Sequence, residues 1–208
     1  MPFEFLISAF VTLVIVLDPI GLAPTFVAIT QGMPRTARRQ VAIRASIIAA
    51  AILAGAVLVG EWLLGALGIS LAAFRIAGGF LLFSIASEMV FGLRIQRQSA
   101  TAEQALEERV RNIAAFPLAI PLMAGPGAIT AMVLLSGRAT GQPDLLAGLI
   151  GVAVIGVMLC LVTFLAATQI EKLLGITGNV VLSRLLGVLL AALAVQFVVD
   201  GVRALLVS

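Results

Sequence analysis

Six apolar stretches, each about twenty residues or longer, run along this 208-residue chain and leave it few folds to choose from. They cover about 5–30, 40–62, 69–92, 113–136, 144–168 and 180–203, separated by charge clusters and by Gly/Pro punctuation. A helix rising 1.5 Å per residue needs roughly 20 residues to cross a hydrocarbon core of ~30 Å, so each stretch is long enough to span a membrane. The remaining composition agrees: 62% of residues are hydrophobic and 11% charged, well outside the range of soluble domains. The expected fold is an all-α integral membrane protein, one transmembrane domain over 1–208. The first stretch lacks a basic leader region, carries Glu4 and has no small-residue cleavage site, so it is expected to remain as a helix.

Basic residues set the expected orientation. Arg35, Arg38, Arg39 and Arg44 follow the first span, Arg94, Arg97, Arg109 and Arg111 follow the third, and Lys172 follows the fifth. Only Arg138 and Arg203 flank the other side. The richer side should be cytoplasmic, which leaves both termini outside. The net charge of +3 then reflects topology and implies no nucleic-acid partner.

The chain has no His, no Tyr and one Cys, Cys160. Imidazole relays, cysteine metal clusters and intramolecular disulfides are therefore excluded, and no metal site is expected. With a single aspartate near the middle of a span, an intramembrane enzyme would also lack a carboxylate pair. No phosphate-binding G-x-x-x-x-G-K-[ST] loop occurs, so ATP-driven pumping is unsupported.

A repeat organises the sequence. "EWLLGALGISLAAFRIAGG" from Glu61 and "EKLLGITGNVVLSRLLGV" from Glu171 share E-x-L-L-G-x-x-G followed by R-x-x-G, at Arg75 to Gly78 and Arg184 to Gly187. Carried backward, the match sets "DPIGLAPT" of the first span against "AGPGAIT" of the fourth. The expected organisation is repeat 1 over about 1–92, a cytoplasmic connector over about 93–112, and repeat 2 over about 113–208. Each repeat holds three spans, an odd number, so the second copy enters the membrane from the opposite face. Within the connector, Thr101 with Gln104 fits a capping box and Glu107 with Arg111 an i,i+4 pair.

The matched segments are unsuited to helix interiors. An interior proline costs about 3 kcal/mol or more, but little at the first position of a helix. Pro19 and Pro126 are thus expected to open second half-helices, 19–30 and 126–136, with Asp18 and Gly125 at the N-caps and the breaks near the midplane. Irregular backbone at that depth must be packed in protein or line a wet cavity. Asp18 is a candidate ammonium or proton partner, since a mid-membrane carboxylate costs about 3 kcal/mol. Gly125, Pro126 and Gly127 present free amides to an anion. With Pro19, Gly21 and the hydroxyls of Thr25 and Thr130, they form the expected substrate site; Pro24, Pro117 and Pro121 are candidate hinges. Asp18 on one side and bare amides on the other complement a small zwitterion. Ala51, Gly55, Gly148 and Gly151 are expected at close helix contacts.

"DPIGLAPTF" and "FPLAIPLMAGPGAIT" resemble the signature segments of the MarC family of bacterial inner-membrane proteins, which includes the SnatA-type neutral amino acid transporters. The resemblance extends over the six spans and the polar connector. It implies secondary transport of small neutral amino acids of the alanine, glycine and serine class, with export proposed for some members. Efflux of other small hydrophobic or drug-like solutes is the alternative, and a non-transporting structural protein a further one. No cofactor is expected. A coupling H+ or Na+, the oligomeric state and the direction of transport are left open, and membrane lipid is the one other partner.

Overall fold

The computed structural model of the chain describes residues 2–94, 96–98, 100 and 112–207. Every regular element among them is helical: α1 (Pro2–Leu17), α2 (Leu22–Ile29), α3 (Arg35–Ala66), α4 (Leu71–Phe91), the wide, π-type segment α5 (Ala114–Met123), α6 (Pro126–Ser136), α7 (Pro143–Leu165) and α8 (Ala167–Val207). The Thr101/Gln104 and Glu107/Arg111 pairs lie outside the described residues.

α3, α4, α7 and the Thr177–Leu206 portion of α8 are each long and apolar enough to cross a membrane. α1 with α2, and α5 with α6, reach that length only as pairs, bent by 46° and 57°. The protein is thus an all-α integral membrane protein with four helices of spanning length, or six spans if each bent pair counts as one.

The connections follow local chemistry. Ser70 accepts the amide of Ala73 and starts α4 with an ordinary cap. The repeated E-x-L-L-G-x-x-G motif supplies a left-handed glycine in each copy: Gly68 (φ 70) between α3 and α4, and Gly175 (φ 59), which interrupts α8 ahead of its spanning portion. Residues with a Cβ rarely hold such angles. In α5, Phe116 and Ile120 are extended because each precedes a proline, which disfavours the helical region. Both Phe116–Pro117 and Ile120–Pro121 bonds are cis.

The longest contact is between α4 and α8, followed by α3 with α7. Glycines let the first pair close up: a Cβ at Gly79 would stand 2.8 Å from the carbonyl of Ala194, and one at Gly187 would stand 3.1 Å from that of Ala86. Of the small residues expected at helix contacts, Gly148 packs under Leu6, whereas Gly55 and Gly151 meet nothing within 4 Å. Gly60 and Gly156 take the packing role instead, under Val133 and Leu13. Around Phe26, Leu13, Leu82, Met123 and Met132 a continuous apolar core encloses α1, α2 and α6, while exposed Leu, Ile, Val and Phe cover the outer faces of α3, α4, α7 and α8. That inversion of the soluble pattern is what a lipid-facing surface requires.

Candidate functional site

The first break runs from Asp18 to Gly21. α1 ends when Asp18 takes φ 50, a left-handed angle that Asp and Asn tolerate better than other residues with a side chain. Its carbonyl accepts the amide of Leu22 at 3.1 Å and its Oδ1 the amide of Gly21 at 3.1 Å; Ile20 accepts the amide of Ala23. The second half therefore starts at Leu22, not at Pro19. Asp18 stabilises a turn across Pro19–Gly21 instead of capping a helix that opens at Pro19. Pro24, in the first turn of α2, brings no amide that would need a partner. The amides of Gly21, Leu22 and Ala23 are thus answered by residues of the break itself.

Asp18 is buried, and its Oδ2 accepts a long bond of 3.4 Å from the hydroxyl of Ser183 on α8. A Cβ at Gly21 would collide with the carboxylate, so that glycine serves Asp18. Thr25 is buried behind it.

The second break is built as the sequence predicts, with Gly125 extended (ψ 173) at the cap and Pro126 at the first position of α6. A Cβ at Gly125 would collide with the carbonyl of Pro121. Here no side chain caps the helix, and the amides of Gly127 and Ala128 find no acceptor among the described residues. Both residues are buried and line a small cavity of about 60 Å³, together with Gly125, Pro126 and Pro121. Gly127 has its missing side chain aimed at Ile85, Val16 and Leu82, so a large residue there would disturb the core. Thr130 lies one turn further on, its methyl group packed against Gly78.

Two cationic side chains and an amide from the start of the connector complete the cavity: Arg94, Arg97 and Gln98. Arg97 bonds Glu88 at 2.6 Å. Arg94 is only 8% exposed; its Nη2 donates to the carbonyl of Val16 at 2.9 Å, and its buried Nη1 has no acceptor among the described residues. It acts electrostatically on Asp18 without direct ion-pair contact. Val16 also lines the cavity, which brings the end of α1 against the second break.

The structure therefore brings Gly125, Pro126, Gly127 and Pro121 together on one cavity, and sets Asp18, Pro19, Gly21, Thr25, Pro24, Thr130 and Pro117 off it. Arg94, Gln98 and Ser183 were missed from sequence. Arg94 had been read only as one of several connector arginines, and nothing in its neighbours announces burial. Arg75 and Arg184 diverge despite being repeat mates: Arg184 is exposed, whereas Arg75 feels Arg138 and Asp200, which pair with each other at 2.7 Å.

A larger cavity of about 500 Å³ opens at the far end of α2, lined by Arg35, Arg38, Arg39, Thr168, Phe26 and Phe164. The rings of Phe26 and Phe164 stack at 4.6 Å, and Arg38 lies over Phe26 at 5.8 Å.

The comparisons with known proteins agree with this architecture. The family model described as MarC family integral membrane protein matches residues 3–206. A UPF0056 membrane protein of Archaeoglobus fulgidus is 37% identical over 206 residues, covering 99% of this chain and 95% of its own length. UPF0056 membrane protein MJ1677 of Methanocaldococcus jannaschii is 37% identical over 209 residues, 99% of this chain and 100% of its own. YhcE of Escherichia coli is 32% identical over 204 residues, 98% and 92% respectively. No solved structure matches the chain. Broken apolar segments, the order of the helices and end-to-end similarity to these membrane proteins converge on one assignment: the chain belongs to the MarC family of integral membrane proteins.

Proposed function

We propose that this protein is a secondary transporter of small neutral amino acids, the alanine, glycine and serine class, and that its substrate path passes between the two breaks. The observation that carries the reading is the pair of bends, each in an apolar segment and each placing irregular backbone inside the protein. Bends of 46° and 57° change a helix's course without reversing it, which favours two bent spans over two re-entrant loops and gives six crossings. Irregular backbone at membrane depth is characteristic of transporter sites.

The packing supports inverted repeats. Contacts of α3 with α5, α3 with α6 and α4 with α6 have counterparts in α7 with α1, α7 with α2 and α8 with α2. Such a swap of halves is what a pseudo-two-fold axis in the membrane plane generates. Six crossings together with the basic asymmetry support a reading in which both termini are periplasmic and the membrane is the bacterial inner membrane. Asp18 is the candidate contact for the substrate ammonium or for a coupling proton or sodium ion, and the α6 N-terminus for the carboxylate.

Uptake and efflux of labelled alanine, glycine, serine and leucine in proteoliposomes, under imposed proton or sodium gradients, tests the proposal. Saturable transport of the smaller amino acids is expected, lowered about tenfold or more by Asp18→Asn, because Asn keeps the turn but loses the charge. Absence of transport of any of the four under all gradients would remove the proposal.

A further inference from the structure

Resting on the transporter reading, but testable without transport, one feature goes beyond it. The geometry points to the cavity at the second break as a carboxylate site whose anchor is Arg94, with the amides of Gly127 and Ala128 completing it.

Three observations meet there. Gly127 and Ala128 in the first turn of α6 are buried and line the cavity, and their amides have no acceptor among the described residues. Arg94 lines the same cavity and is more than nine-tenths buried, with Nη1 unpartnered among the described residues although Nη2 is held by the carbonyl of Val16. No acidic residue lines the cavity among the described residues. Amides at a helix N-terminus and a guanidinium are all donors, so the lining is deficient in acceptors. A buried donor without a partner is destabilising, and more so when charged. An anion with two acceptor oxygens corrects the deficiency on both sides at once, one oxygen toward Nη1 and the other toward the amides.

Size narrows the class. About 60 Å³ accommodates a carboxylate bearing a few heavy atoms. The ligand is thus a small carboxylate, read through its charged end. Asp18, whose carboxylate is turned to Gly21 and Ser183, does not share this surface.

Arg94 could instead serve only to hold the end of α1 through Val16. Propionate and propionamide, matched in size and differing in charge, separate the two roles. On detergent-purified wild-type protein, propionate is expected to raise the melting temperature and propionamide to have a negligible effect. In Arg94→Gln the propionate effect should vanish, whereas Arg94→Lys should keep it with a half-saturating concentration raised about tenfold. Equal effects of the two probes on wild type, no effect of propionate, or an undiminished effect in Arg94→Gln would each overturn the site. If Arg94→Gln does not fold, Arg94→Lys and the wild-type pair of probes decide: an unshifted propionate midpoint in the lysine variant counts against it. Arg94-dependent propionate binding in a protein that transports no amino acid would leave this site standing and remove the transporter reading.

Discussion

The two breaks interrupt apolar segments at matching places in the repeat, yet they solve the backbone problem in opposite ways. At the first, Asp18 turns the chain and occupies the amides of Gly21 and Leu22, while Pro19 and Pro24 contribute none. At the second, no side chain answers the amides of Gly127 and Ala128, and an arginine from outside the break approaches instead. A single charged hydrogen bond stabilises by about 1.5–3 kcal/mol, so this difference is a sizeable fraction of the usual domain stability of about 5–15 kcal/mol. The first break has a side chain of its own that answers a freed amide; the second has none among the described residues.

The largest effect should come from filling the space at the second break. Gly125→Val places a Cβ against the carbonyl of Pro121, a backbone atom that cannot rotate away. Loss of more than about 4 kcal/mol, read as failure to recover monodisperse protein, is expected; normal recovery would mean that the Pro121–Gly125 turn is not required. Next comes the first break. Asp18→Ala loses the left-handed tolerance, about 1–2 kcal/mol, and the bond from the Gly21 amide, about 1 kcal/mol, whereas Asp18→Asn keeps both. Unfolding in detergent should rank wild type and Asn together and Ala about 2–3 kcal/mol below. An Asn variant as unstable as Ala would show that charge, not geometry, holds the first break. Smallest is Ser183→Ala, which removes one bond of 3.4 Å and should cost less than about 1 kcal/mol. A larger loss would mean that α8 is a necessary partner of that break.

How much of this was legible follows the range of the interactions. Six apolar stretches and the Gly125–Pro126 start of α6 were readable because hydrophobic length and first-turn proline chemistry act locally. The onset of α2 was misplaced by three residues: proline at N1 is favourable, but the bond from the Asp18 carboxylate to Gly21 stabilises a competing turn. The site divides the same way. Gly125, Pro126 and Gly127 were readable as a helix start without a side-chain cap, whereas Arg94 sits at the start of the connector after α4 and reaches Val16 across 78 positions of sequence. A polar residue in a charge-rich connector has no local sign of burial. Asp18 and the cavity face different ways because α1 ends in a left-handed turn, an angle that no spacing rule supplies.

The α4–α8 contact has a consequence for how the protein is made. α4 closes the first repeat and α8 the second, and glycines on each bring their backbones within reach of one another. The two halves therefore meet over a surface of their own in addition to the polypeptide link. Two genes, one encoding residues 1–100 and the other 112–208, should then yield subunits that assemble in the same bilayer. Arg94 would travel with the first subunit and the amides of Gly127 and Ala128 with the second, so the carboxylate site would come into being only at association.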